Sequence, residues 1–438
     1  MKKIIRLIIL IFIFTNINIV YGEEVNYPPE EKPDISSDYV YMYDLNTGQI
    51  LWDIGSDEVI FPASLTKMMT LIVAIENIDD FNNTVLITEE MLAGLKEARA
   101  ARAGFDVGDE PLLKDILYGI MLPSGADCTN AAAVYVSGSL EAYVDLMNQK
   151  AKELGMNQTH FVNVTGLHNE NHVSSLKDMA KLLEYCLKNE TFVEIFSSRE
   201  HQAITTLNYP EEGLKMESNV FNYINNDDPE AKYNVYIDGF IGGKSGYTTS
   251  ARYCLASTAI HNEIQYVLIT AHSWIERVIP SHILDAGFIY NYYFDNFENK
   301  TVYLKDEIIQ TIPVYYNFFN KEIDILSNDD IKMILPNDEN LHIEIDLPDE
   351  IFAPINQGDI VGNIKVYSYD NLMYESELYS NETIKKSIIA FIITNIYWFV
   401  IEYKIEIIIL LVVLIILVIY LKLRYEVKVN KRKFKKRK

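Results

Sequence analysis

Ser64-Leu65-Thr66-Lys67 lies where a proline (Pro62) opens a helix that is apolar on nearly every side, through Met68, Met69, Ile72, Val73 and Ile75. Residues three apart on a helix share a face, so the Lys67 ammonium can reach the Ser64 hydroxyl. Burial and a positive helix N-terminus favour a neutral lysine, which can then accept the serine proton and leave a nucleophile. A second Ser-x-x-Lys, Ser174 and Lys177, reads as a solvated helix start. The spacing alone is therefore a weak sign. Two later segments strengthen it. Ser124-Gly125-Ala126 follows the apolar run 116–123, and Lys244-Ser245-Gly246 follows further on, just before a hairpin.

A Ser-x-x-Lys, a Ser-Gly-x and a Lys-Ser-Gly in that order resemble the three motifs of the penicillin-binding proteins and serine β-lactamases. The flanks narrow the match. FPASLTKMMT, MLPSGAD, LMNQKAKELGM, THFVNVTGLH, HVSSLKDMA and GGKSGYTTSARYCLAS are similar to the low-molecular-weight D-alanyl-D-alanine carboxypeptidases of the DacF type. APINQGDIVGNIKVY is similar to the β domain that follows the catalytic domain in that family, so the resemblance runs continuously over about 36–380.

The resemblance implies roles. Ser64 is the nucleophile that forms an acyl-enzyme, Lys67 its general base, and Ser124 a proton shuttle toward the leaving D-alanine. Lys244 binds the terminal carboxylate with Ser245 and Gly246 beside it, and Arg277 approaches the same group. The backbone N–H groups of Ser64 and Tyr247 form the oxyanion hole. The substrate is a peptidoglycan stem peptide ending in D-Ala-D-Ala, β-lactams acylate the same serine, and neither metal nor organic cofactor is needed. The chain departs from the family at two positions. Ala126 stands where the family has Asn, and Ser245 replaces Thr but keeps the hydroxyl. The first departure motivates one rival, a catalytically weakened penicillin-binding sensor or scaffold; the rival enzyme reading is a β-lactamase or endopeptidase on the same fold.

Other motifs are weaker. Gly243-Lys244-Ser245 imitates the end of a phosphate-binding loop, but that loop needs Gly at 238, which is Asp. His168 and His172 offer two imidazoles in a loop after Gly166 with no third ligand evident. Glu170 could serve as a deacylating carboxylate, although its surroundings resemble the carboxypeptidases.

These residues need a scaffold with strands at both ends and helices between. Tyr39–Tyr43 and Ile50–Asp53 flank Asn46-Thr47-Gly48, a hairpin signature. Arg252–Ile260 and Ile264–Ala271 are joined through His261-Asn262-Glu263, a second one. The layout is α+β, and the family's antiparallel sheet with helices is the implied fold of residues 38–292. Between 300 and 380 short period-2 runs alternate with Asn-Asp, Pro-Asn-Asp and Gln-Gly-Asp breaks, as in a small all-β domain.

Hydrophobic residues make up 49% and charged residues 23%, enough for a sizeable core. The net charge of −24 argues against a nucleic-acid partner, which needs clustered Lys and Arg. The charge is unevenly placed. Residues 422–438 hold ten Lys/Arg against one Glu, and residues 1–22 carry Lys2, Lys3 and Arg6 without an acid. A charged start, an apolar run from Leu7 and the small-residue site Val20-Tyr21-Gly22 form a secretory signal peptide over 1–22, followed by a Pro- and acid-rich linker, 23–37. Residues 405–423, with Glu406 and Lys422 snorkelling, are long enough to cross a bilayer of about 30 Å. The basic tail 424–438 then stays in the cytoplasm and the acidic body outside. The preceding run, 387–401, carries Thr394, Asn395, Tyr397 and Trp398 and reads as an interfacial helix on the outer leaflet. Cys128, Cys186 and Cys254 are odd in number and widely spaced, which implies neither disulfides nor a zinc site.

Overall fold

The computed structural model describes residues 34–225, 234–274, 279–318, 322–337, 341–368 and 371–435. The expected signal peptide lies outside them. The chain divides into two compact units. One runs through Lys300 and takes in 332–342 and 367–374; the other comprises 301–331, 343–366 and the chain from 375.

The first unit is built on a five-stranded antiparallel sheet. Strand β1 (Tyr39–Asp44) turns through Gly48 into β2 (Ile50–Ile54), and β1 also pairs with the last strand of the sheet in the chain. Helix α1 (Thr66–Asn77) is buried at every residue from Thr66 to Ile75. A helix apolar all round is stable only when other elements surround it, and α2 (Leu113–Met121), α3 (Ala126–Ser137), α4 (Leu140–Glu153) and α5 (Leu176–Cys186) do so. The chain then returns to the sheet as β3 (Phe240–Thr248), β4 (Arg252–His261) and β5 (Ile264–Ser273), giving the order β2-β1-β5-β4-β3. The β4–β5 turn places Asn262 and Glu263 at φ of 49° and 67°, the left-handed pair of a tight hairpin.

Helix α6 (Ser281–Asn296) packs on β4 and β5. Its Asp285 is a buried carboxylate that accepts from Ser36 N at 3.0 Å and Ser37 Oγ at 2.6 Å, fastening the start of the first unit to the helix. All three cysteines are buried and free.

The region after α6 is rich in β-structure, as its alternating pattern predicts, with strands at Phe297–Tyr303, Ile308–Tyr315, Glu322–Leu326, Ile331–Pro336, His342–Asp346, Ile360–Ser368 and Asn371–Tyr379. Within the second unit, Ile308–Tyr315 lies between Glu322–Leu326 and Ile351–Phe352. Two helices follow, Ile388–Glu402 and Lys404–Lys435. The first is joined to the end of Ile308–Tyr315 by Ser387 N, which donates to Tyr316 O at 2.7 Å, and by Lys386, whose Nζ lies 5.2 Å from the Tyr316 ring centre and 3.7 Å from that of Phe391. In the second, Lys404–Val429 is long and apolar enough to cross a membrane, and its apolar stretch is not buried in the protein.

Candidate active site

The turn that carries Ser64 is irregular. Pro62, at φ −73°, begins a single 3-10 turn, Ala63–Leu65, and the α-helix starts only at Thr66. The helix expected directly after Pro62 is therefore delayed by one turn, because Ala63 sits at φ +46°, outside the α region. Ser64 thus precedes the helix, and Lys67 lies in its first turn.

Lys67 Nζ lies 3.0 Å from Ser64 Oγ and donates to the Thr165 carbonyl at 2.6 Å. The expected pair is in contact. Lys67 is only 3% exposed. Burial lowers its pKa from the ordinary lysine value to about 7, against the opposing pull of Asp127. A substantial fraction is therefore neutral near neutral pH, with a lone pair available for the serine proton.

Ser124 joins α2 to α3 in the left-handed region, at φ +62°, and its buried Oγ has no hydrogen-bond partner among the described residues. Gly125 N donates to Gly119 O and Ala126 N to Ala101 O, both at 2.8 Å, which locks this corner. Asp127, fully buried, accepts from Ala103 N at 2.8 Å and Gly104 N at 2.9 Å. It holds the 101–104 segment and makes no direct contact in place of the Asn missing at 126. Its charge still reaches Lys67.

β3 carries the third motif. It passes so close to the Ser64 turn that a Cβ at Gly246 would lie 2.8 Å from Ser64 N. Any side chain there would push β3 and Ser64 apart. Lys244 is buried, and its Nζ donates to Ser245 O at 2.7 Å. Burial, and then the charge of Lys67, hold its pKa well below the ordinary lysine range. Two buried lysines disfavour each other's protonation, so an anionic group entering the site restores the charge on Lys244. Tyr247, at the outer end of the strand, is 49% exposed. Arg277 lies outside the described residues.

The histidines expected as poor metal ligands have other tasks. His172 Nδ1 accepts from Val162 N at 3.0 Å, so its protonated Nε2 donates to Thr66 Oγ1 at 2.8 Å. Burial is the main cause that lowers its pKa to about 4, and the ring stays neutral. It ties the 162–172 segment to the start of α1 and so holds Thr165 against Lys67. Sequence reasoning missed Thr165 because it acts through a backbone carbonyl; the HFVNVTGLH stretch was the only sign of it.

The assembled site has a serine beside a lysine of lowered pKa, a second buried lysine on an adjoining strand, and a serine hydroxyl left unpaired at a helix corner. Comparison with known proteins agrees with this chemistry. Residues 27–273 match the family described as D-alanyl-D-alanine carboxypeptidase, and residues 297–386 match the penicillin-binding protein 5 C-terminal domain. The chain is 27% identical over 353 residues to the D-alanyl-D-alanine carboxypeptidase DacF of Bacillus subtilis, covering 79% of this chain and 85% of that one. It is 26% identical over 344 residues to DacC of Escherichia coli, covering 76% and 80%. The crystal structure of DacD from Francisella tularensis shares the fold, with a TM-score of 0.67 at 21% identity over 85% of this chain and 99% of that one. The chain belongs to the D-alanyl-D-alanine carboxypeptidase family.

Proposed function

We propose that this chain removes the terminal D-alanine from peptidoglycan stem peptides by a serine acyl-enzyme route in which Ser64 is the nucleophile and Lys67 the base. The observation that carries this assignment is the 3.0 Å contact between Ser64 Oγ and a Lys67 whose pKa is lowered to about 7. Neutral Lys67 takes the hydroxyl proton as Oγ bonds to the penultimate carbonyl carbon. The N–H groups of Ser64 and Tyr247 receive the developing oxyanion. The C–N bond to the last D-alanine breaks, and Ser124 relays the proton to the leaving amine. Water then attacks the ester and regenerates Ser64. Lys244, with Ser245 and Gly246, holds the substrate carboxylate, whose charge favours the protonated lysine. β-Lactams enter by the same acylation. The full-length chain in detergent should turn over a D-Ala-D-Ala peptide, and labelled penicillin should attach at Ser64 and not at Ser174. Label on another serine would overturn the residue assignment; labelling without turnover would favour the sensor reading raised by Ala126.

The chain's placement is part of the same proposal. Residues 1–22 direct export, residues 405–423 within the apolar helix Lys404–Val429 span the membrane, the basic tail 424–438 stays in the cytoplasm, and Ile388–Glu402 lies on the outer leaflet. Its Ile388, Ile393 and Tyr397 are 74%, 60% and 59% exposed, an apolar surface suited to lipid. A C-terminal tag should resist protease on intact cells and be cut once they are permeabilised. Cleavage on intact cells would contradict this topology.

A further inference from the structure

Helix α6 brings to the sheet a side chain that neither the motifs nor the mechanism uses. His282 is 4% exposed, and its Nδ1 is buried with no hydrogen-bond partner among the described residues. Its ring stacks on Tyr253 of β4 with centroids 4.9 Å apart and planes 13° from parallel. Tyr253 in turn meets Tyr247 of β3 at 4.6 Å. The two tyrosines are also direct partners in the β3–β4 register. Four residues along β4, Ser257 Oγ lies 3.1 Å from Tyr290 OH, so this face of the strand is held to α6 at two points.

The outer end of β3 is tied to β4 as far as the Thr248–Arg252 pair, but β3 is the edge strand and has no sheet neighbour on its other side among the described residues. Tyr247 is half exposed and the strand ends at Thr248. An oxyanion donor must sit within a few tenths of an ångström of the developing charge, and catalysis falls steeply with misplacement. Stacked neutral rings supply such restraint without adding charge beside the lysines.

We infer that His282 is a positioning residue. Its imidazole is the inner rung of the ladder Tyr247–Tyr253–His282, which fixes the outer end of β3 and with it the backbone N–H of Tyr247. The inference rests on the reading of Tyr247 N–H as an oxyanion donor. Burial, and then the charge of Lys244, lower the His282 pKa to about 3, so the ring stays neutral and keeps its stack.

The test compares full-length wild type in detergent with His282→Ala, His282→Phe and Tyr253→Leu. A donor that matters only in the transition state lowers kcat and leaves KM in place when misplaced, so His282→Ala should lose about tenfold in kcat at unchanged KM for a D-Ala-D-Ala peptide. Tyr253→Leu, which removes the middle rung, should do the same if His282→Ala does not fold. His282→Phe keeps a flat ring and should retain most of the wild-type kcat. Amide hydrogen exchange at Gly246 and Thr248, which flank Tyr247 in the β3–β4 ladder, reads the stack without turnover: it should quicken in His282→Ala and Tyr253→Leu and stay slow in His282→Phe. Faster exchange in the first two variants with wild-type kcat would keep the ladder but remove Tyr247 N–H from catalysis, overturning the inference. Unchanged exchange, or a phenylalanine variant as impaired as the alanine one, also overturns it. A wild type without turnover would refute the proposed activity, and exchange alone would then decide the ladder.

Discussion

Replacing Ser64 by Ala abolishes penicillin acylation and peptide turnover together, a loss of about 10³–10⁶-fold if Ser64 and Lys67 act as one unit. Lys67→Ala does the same, because the serine hydroxyl then has no base within reach. The wild-type pH profile identifies the base. Lys67 has its pKa lowered to about 7, chiefly by burial. Its neutral fraction, and with it the acylation rate, therefore rises as pH increases through about 7 and levels off above. Asp127 raises the Lys67 pKa through its charge. Asp127→Asn removes that charge and should move the rising limb to lower pH. The same change replaces an acceptor of two backbone N–H bonds, from Ala103 and Gly104, with a group that can accept on one side only. A loss of about 1–3 kcal/mol of stability should accompany it. The midpoint of the limb is independent of its amplitude, so the electrostatic and structural effects separate in one experiment. Penicillin acylation rates between about pH 5 and 9 read both. Wild-type rates in Ser64→Ala, or a limb that moves up in Asp127→Asn, would show that the pair is not the catalytic base and nucleophile.

What the sequence revealed of this site follows from which atoms carry the chemistry. Ser64 and Lys67 were legible because their side chains meet at a helical spacing, and the structure places them in contact. Both hairpins were legible because their turns use residues that tolerate positive φ, Gly48 at 76° and Asn262 at 49°. Thr165 was hidden because its functional atom is a carbonyl, common to every residue. His282 was hidden because SHILDAGFIYNYYFDN has no clean polar face: the helix is packed over much of its circumference, so its aromatics gave no amphipathic period. Asp127 was hidden because its task, the anchoring of residues 101–104, exists only in the tertiary fold.

A second large effect is expected at Gly166, which lies in the THFVNVTGLH segment but has no assigned role in the chemistry. It stands at φ +80°, and a Cβ there would lie 1.9 Å from Ala63 O and 3.0 Å from Ser64 N. The loop that supplies the Thr165 carbonyl thus rests directly on the peptide unit ahead of the nucleophile. Gly166→Ala cannot be accommodated by a side-chain rotation, because the obstructing atoms are backbone on both sides. Loop and nucleophile turn must separate, and Lys67, held by Thr165 O at 2.6 Å and by Ser64 Oγ at 3.0 Å, cannot keep both contacts. A displacement of about 1 Å at a reacting centre costs roughly a hundredfold in rate, so acylation by penicillin should fall by at least about that much. The left-handed backbone adds its own strain of about 1–2 kcal/mol. Gly155 separates the two causes. It has a similar φ, +67°, but a Cβ there would meet nothing within 4 Å. Gly155→Ala should therefore lose stability by about the strain term alone and acylate at the wild-type rate. Thermal unfolding and penicillin acylation, measured on both variants, decide the matter. Equal loss of acylation in the two, or a Gly166→Ala variant that reacts like wild type, would mean that the contact with Ala63 does not set the geometry of Ser64.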